Sequence, residues 1–451
     1  MFGFNSNKSA SARIAQTIGI FSGVRVVNIL CALVRNKLIA WLIGPAGLGL
    51  VMLYNSVVDL ITQTTRLSID QSAQRDVAQS SGAEQTVTVN VLRRWALWLG
   101  LLGSAVMCVL SPLLSFWSFD TIEHWPTFCL LAVVPLCLTY CSCVAAANQG
   151  LRRFKGVAMA TVISSVAGLV VVIPLIIWLK IDSIVWIIVA YGITSWLGAW
   201  LYRPRTQKVK LAVREVYNRG RDFVKLGAQI TLALFVGQGF NYFFVLYLNT
   251  FGSTDVLGIY QSGYTMMNSY IGIVFSALWI EYYPRLSATV HSSTRIATVS
   301  SHEARLTLTF LTPLLCGLAL LAGPVVSLIY SDAFMPVIPY LVIGCVGVVF
   351  KLMSFCQVYI ILARGDGKIY LFTEIFSSIV GLIFNIAGFT LWGFYGLGLA
   401  YVLWYAVYMA VIAVICRRRY DIGYRKSTWI FAVGSIAAVT LCALLGLAIW
   451  A

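Results

Sequence analysis

A chain of 451 residues that is 60% hydrophobic and only 11% charged, with a mean hydropathy of +0.86, excludes a soluble globule. The surface of such a globule would stay largely apolar. The solvent that suits this composition is a bilayer, where each spanning helix takes about 20 mostly apolar residues.

Apolar runs broken by charge clusters predict thirteen spans, at 14–43, 47–66, 95–115, 127–149, 157–179, 184–202, 226–249, 256–283, 306–330, 337–362, 369–392, 394–416 and 429–450. Pro135, Pro174, Pro313 and Pro324 lie inside runs, which membrane helices tolerate. The first run is too long for a cleaved signal peptide and carries Arg25, Arg35 and Lys37.

Basic residues set the expected orientation. Alternate connections hold 26 of the 32 lysines and arginines: Lys8 and Arg13, Arg75 with Arg93 and Arg94, Arg152 to Lys155, eight from Arg203 to Lys225, then Arg285, Arg295 and Arg305, Arg364 and Lys368, and Arg417 to Lys426. The opposite connections carry Lys180 and the acids Asp120, Glu123, Asp182, Asp255 and Asp332. Positive charge marks the cytoplasmic side, so the N-terminus is expected there, in a membrane crossed many times. Topology thus accounts for the net charge of +16, and nucleic acid is not an expected partner. Trp41, Trp117, Trp125, Trp178, Trp279 and Trp392 fall near span ends, as interfacial aromatics do.

The eleven cysteines lie mostly in apolar runs, and Cys141-Ser-Cys143 has no histidine or second cysteine pair nearby, so they read as packing residues and not as metal ligands. Three scattered histidines and the lack of a nucleophile–base set, phosphate loop or dinucleotide fingerprint argue against an enzyme. No cofactor or metal is expected.

A basic segment at 203–225 divides the chain into an N-terminal lobe of six spans (1–202) and a second of six (226–416), followed by a basic loop and a further span (417–451). The halves echo each other. Gly44 to Tyr54 parallels Phe251 to Tyr260, with Gly49 and Gly258 offset by 209. Gln74-Arg75-Asp76 parallels Tyr283-Pro284-Arg285, and Ala147 to Arg152 parallels Leu362 to Lys368. With an even number of spans in each copy the repeat is parallel, and substrate is expected between the lobes.

Four segments carry a resemblance: Arg35 to Gly49, Val256 to Gln261, Glu281 to Ser287, and Leu341 through Lys351 to Tyr370. In this order they resemble the multidrug/oligosaccharidyl-lipid/polysaccharide (MOP) exporter superfamily, and within it the Wzx flippases of O-antigen precursors. The resemblance implies an all-α polytopic membrane protein, two six-helix lobes around a central cavity plus one extra helix. It also implies flipping of an undecaprenyl-pyrophosphate-linked oligosaccharide by alternating access, for lipopolysaccharide O-antigen or another surface polysaccharide. Relatives with fourteen spans leave the side of the C-terminus open.

Charges inside spans are costly and point to function. Arg25 lies roughly 16 Å into the first span at 1.5 Å per residue, near the midplane. Lys351 lies mid-span in the tenth and matches a lysine of the Wzx relatives. Arg35 and Lys37 are nearer the periplasmic end, and Arg66 closes the second span. These five are expected to hold pyrophosphate, guanidinium offering paired donors and lysine a mobile charge, although snorkelling also explains Arg35, Lys37 and Arg66. Asn28, Gln238, Asn241, Gln261, Tyr264 and Asn268 are candidates for glycan hydroxyls, or else helix–helix hydrogen bonds. Asp59, the one deep carboxylate, is expected to pair with Arg25 or Arg35 or to take a coupling proton, while Glu281 and Glu374 are expected to be solvated. Coupling to protons, sodium or membrane potential stays open. The expected partners are the lipid-linked glycan, membrane lipids and a polysaccharide polymerase or ligase, with the protein itself a monomer. A multidrug or organic-cation antiporter of the same superfamily, a lipid II flippase and a non-transporting scaffold are the alternatives. The excess of basic residues in the spans opposes the first.

Overall fold

The computed structural model describes residues 4–450 other than 207, 208, 210, 273, 276–281, 283, 284, 287, 288, 290 and 291, and leaves undescribed the side chains of 4–22, 71, 75, 222–230 and 232–234. Trp279, Glu281 and Tyr283-Pro284 lie outside the described residues. Among the described residues every regular element is helical. Among the described residues, eight stretches are long and apolar enough to cross a membrane, and two of them, Phe154–Leu201 and Gly367–Tyr420, each hold two of the expected spans. The first and seventh expected spans are also helical, as are the described residues of the eighth as far as Tyr270. The protein is an all-α, multi-pass membrane protein.

Two compact units divide the chain, Met1–Ser253 and Thr254–Ala451. The first comprises α1 (Phe4–Leu42), α2 (Pro45–Arg66), α3 (Ile69–Gln79), α4 (Gly82–Phe119), α5 (Trp125–Leu131), α6 (Val133–Gly150), α7 (Phe154–Leu179), α8 (Ser183–Leu201) and α9 (Val213–Phe251). Proline positions explain two of the breaks. Pro45 opens α2 at the first helical position, where a missing N–H costs nothing. Pro135 cannot donate to Leu131, and the fourth span accordingly parts into α5 and α6 there.

The boundary between units lies one helix beyond the expected basic linker. Only the stretch after Tyr202 is non-helical, and from Val213 onward the expected linker is already α9. This helix packs on α2, α3 and α4 of the first unit. Ser68 and Thr231 share a hydrogen bond (3.0 Å) between α9 and the α2–α3 turn, and Asn249 Nδ2 donates to the Ser118 carbonyl at 2.7 Å. Val216 is fully buried among Trp95, Leu99, Val91 and Ile69, and the Trp95 indole donates to its carbonyl at 3.0 Å. The non-helical stretch is tied down as well. Arg93 donates to the Pro204 carbonyl, and Arg94 donates to that of Leu211 at 2.7 Å. Sequence periodicity reports a helix's apolar face but not its partner, so the allegiance of α9 lay beyond it.

The second unit comprises α10 (Thr254–Thr265), which runs on as a π-helical turn at Met266–Tyr270, then α11 (Ser293–Leu320), α12 (Ala322–Ile329), α13 (Ile338–Ala363), α14 (Gly367–Tyr420) and α15 (Lys426–Trp450). Its core is α13, which packs against α14 and also touches α11 and α15. Buried Leu341, Val348, Leu352, Cys356 and Ile361 line its length. The eleventh and twelfth spans form one continuous element bent at Trp392 and Gly393, where Gly393 takes φ +55°, a left-handed conformation that glycine adopts without strain. Behind this bend the two arms meet backbone to backbone. A Cβ at Gly396 would lie 1.8 Å from the Gly388 carbonyl oxygen.

Candidate functional site

Each unit carries polar and basic residues within its spans. In the first unit, Arg25, Asn28 and Arg35 fall on one stripe of α1 at helical spacing, and Lys37 lies about 120° around the helix from Arg25. The stripe meets α7 and α8. The Ser165 hydroxyl of α7 donates to Asn28 Oδ1 at 2.5 Å, and the Arg35 guanidinium stands 5.9 Å from the Tyr191 ring centroid on α8. Asn28 and Tyr191 also line a pocket of about 100 Å³ between α1, α6, α7 and α8, together with Asn148, Thr161, Ser164 and Ser195. Its walls present hydroxyls and amides and no ionised group. Arg25 itself is exposed.

Arg66 has a different place. Its guanidinium donates to Ser142 Oγ on α6 (2.7 Å) and Gln63 Oε1 (2.9 Å), and its Nε lies 3.5 Å from an Asp70 carboxylate oxygen. Bound by three protein groups, it clamps α2 to α6 and to α3. Asp59 forms no ion pair with Arg25 among the described residues. Arg66 stands seven residues further along α2 and pairs with Asp70 instead. Gln238 and Asn241 are half-buried on α9 and so belong to the first unit, although the sequence reading grouped them with the second lobe.

In the second unit, Lys351 is the centre of a cluster. From α13 its ammonium donates to Asn268 Oδ1 (2.8 Å) on the π-helical turn and to the Tyr401 hydroxyl (3.2 Å) on α14. The rings of Phe275, Tyr401 and Tyr405 have centroids 5.6, 5.8 and 5.1 Å from the same nitrogen. Tyr401 and Tyr405 are one helical turn apart and reach a common neighbour for that reason. The π-helical turn widens the helix locally, a feature frequent at functional positions, and it carries Asn268. Gln261 and Tyr264 lie two turns and one turn earlier, respectively, on α10. Gln261 Nε2 donates to Thr265 Oγ1 at 3.3 Å, and the half-buried Tyr264 packs on Tyr260 at 5.9 Å. Of the six glycan candidates, Asn268 has its oxygen engaged by Lys351 and Asn28 has its own engaged by Ser165.

Sequence reading missed the aromatic wall, Tyr260, Tyr340, Tyr401 and Tyr405, which is continuous through ring contacts of 5.5, 6.3 and 4.8 Å. The signal was present in the one-turn spacing of Tyr401, Tyr405 and Tyr408. Glu374 is corrected too. It is half-buried, with the Tyr408 hydroxyl donating to its Oε1 at 2.9 Å, and is not freely solvated. Among the described residues no cluster of three or more histidine, cysteine or acidic side chains is placed to hold a metal ion.

Solved structures share this architecture. An inward-facing multidrug-resistance MATE-family transporter of the MOP superfamily superposes with a TM-score of 0.71 at 16% identity, over 93% of this chain and 99% of that one. An inward-closed lipid II flippase, MurJ, gives 0.67 at 13% identity over 97% and 98%. An outward-facing MATE transporter gives 0.62 at 14% identity over 94% and 96%. At these identities the likeness is one of fold. No curated protein sequence matches. Residues 38–339 match the family of polysaccharide biosynthesis proteins. The chain therefore belongs to the polysaccharide biosynthesis protein family, on the helical fold of the MOP superfamily and in keeping with its resemblance to Wzx-type flippases.

Proposed function

We infer that the protein flips an undecaprenyl-pyrophosphate-linked oligosaccharide from the cytoplasmic to the periplasmic leaflet of a bacterial inner membrane, by alternating access, for O-antigen or related surface polysaccharide. The observation that carries this reading is Lys351, a cation in the middle of a span that is held by an amide and a phenol and by no carboxylate among the described residues. Such a cation attracts an anionic headgroup, and Arg25 and Arg35 on α1 supply further donors for phosphate oxygens. The uncharged pocket beside Asn28 and the tyrosines of the second unit suit sugar hydroxyls and sugar faces. The chain itself supplies these contacts without a cofactor. The work is transport and not bond chemistry, driven by protons, sodium or the membrane potential. The orientation follows the basic connections, with the N-terminus in the cytoplasm. The protein acts as a monomer and passes its cargo to a polymerase or ligase.

A multidrug or organic-cation antiporter is the second reading, favoured by the MATE neighbours and opposed by the positive charge at Lys351. The deciding experiment depletes the protein and labels only periplasm-facing lipid-linked glycan. Unlabelled glycan should accumulate, and re-expression should restore labelling. Arg25→Ala and Lys351→Ala should abolish that restoration at unchanged membrane levels. Full restoration by both variants would sink the anion-holding role. Normal surface glycan with altered resistance to cationic dyes would select the second reading.

A further inference from the structure

The surroundings of Lys351 have the chemistry of a site for a cation, not of an ion pair. Three aromatic rings place their centroids within 5.8 Å of one ammonium nitrogen, and the two hydrogen bonds it donates end on a neutral amide oxygen and a phenol. Attraction between a cation and the negative face of an aromatic ring operates within about 6 Å of the centroid, and grouped rings are how quaternary ammonium ligands are recognised. Three arginines of the chain are treated differently. Arg66, Arg285 and Arg419 each meet a carboxylate. Glu374, on the helix that supplies two of the rings, accepts from Tyr408 instead. Lys351, Asn268, Tyr264 and Tyr405 are half-buried and not sealed, so the cluster has an open side.

We propose that Phe275, Tyr401, Tyr405 and Asn268 form an organic-cation site that the chain fills with its own Lys351, a tethered cation that keeps free cations out. The side chain acts twice: its methylenes take up the space between the rings, and its charge repels a second cation. Truncating it vacates the cage and leaves the rings and the Asn268 oxygen facing the vacancy. The ligand admitted is a small quaternary ammonium ion, which matches the ammonium in charge and is held by ring faces. This proposal concerns who is excluded from the second unit, and it stands or falls independently of what the protein carries across the membrane.

The test uses full-length protein purified in detergent and equilibrium dialysis with labelled tetramethylammonium, at ionic strength held constant with sodium chloride. Lys351→Ala should bind at least about tenfold more tightly than wild type, a ratio within reach of desolvated cation–ring attraction. Lys351→Arg, which restores a tethered cation, should return binding to the wild-type level. Adding Tyr405→Leu to Lys351→Ala should remove most of the gain. If Lys351→Ala proves poorly stable, tetramethylammonium should raise its melting temperature and leave that of the wild type unchanged, since a ligand stabilises only the state that binds it. Equal binding by Lys351→Ala and wild type, or a gain indifferent to Tyr405→Leu, would overturn the proposal. Neither result bears on glycan labelling in cells, so the flippase reading is judged separately.

Discussion

Replacing Gly396 by alanine tests how the two arms of α14 are held together. Alanine is the better helix former, by about 1 kcal/mol over glycine, so propensity alone forecasts a stabilised protein. Packing forecasts the reverse. The new Cβ would sit 1.8 Å from the Gly388 oxygen and 2.5 Å from its carbonyl carbon, both backbone atoms that no rotamer change can move. Restoring contact at about 3.5 Å requires the arms to part by more than 1 Å, at the upper end of the roughly 1–3 kcal/mol that overpacking costs. Subtracting the propensity gain leaves a net loss of about 2 kcal/mol. Gly434→Ala on α15 is the control, because nothing lies within 4 Å of its Cβ position, and it should be neutral or stabilising by up to about 1 kcal/mol. Unfolding in mixed micelles of dodecylmaltoside and SDS, followed by tryptophan fluorescence, measures both. A Gly396→Ala protein as stable as wild type would refute the backbone contact as a constraint.

Other expectations concern single side chains. Arg66→Met should lower stability by about 1–3 kcal/mol, the cost of a charged hydrogen-bonding group and the partners it leaves, while glycan labelling per folded molecule is retained; unfolding and labelling measured side by side check this. Trp95→Phe should cost about 1 kcal/mol in the same unfolding assay through the lost bond to the Val216 carbonyl. Asp366, in the connection before α14, accepts from the Tyr420 hydroxyl and lies 3.3 Å from Arg419, and these partners hold its carboxyl below the ordinary value of 3.8. With the folded value depressed, the contact contributes its full stability above pH 3.8 and loses it as pH falls through the lower folded value. Asp366→Asn should therefore be less stable than wild type at neutral pH and converge with it on acidification, which a pH series of unfolding curves would show.

The fold was largely legible in the sequence because a bilayer imposes length and apolarity on each span, and both can be counted along the chain. The break before Pro135 was not read, because a proline inside an apolar run is compatible with either a continuous or a parted helix. Pairing was not legible. Asp59 and Arg25 look like partners by depth alone, yet azimuth decides, and only packing fixes azimuth. Arg66 reads as an anchor of span two or a pyrophosphate ligand, and only the structure shows the contacts to Ser142 and Asp70 by which it joins α2 to α6 and α3. Lys351 was singled out as a deep charge, but its company of Phe275, Tyr401 and Tyr405 comes from elements separated by tens to scores of residues. Asn268 illustrates the point from the other side, since its polar character was visible and its engagement by Lys351 was not.

The attachment of α9 to the first unit bears on how the chain is made. Membrane proteins are inserted from the N-terminus, and the face of α4 that carries Trp95, Leu99 and Val91 gains its cover only when Val216 and its neighbours have emerged from the ribosome. A fragment ending after the sixth span would leave this face bare, with Arg93 and Arg94 lacking the carbonyls of Pro204 and Leu211. The biosynthetic milestone is the completion of Phe251, seven spans in, and a gene divided for expression as two pieces is better cut at Gly252 and Ser253 than in the basic stretch.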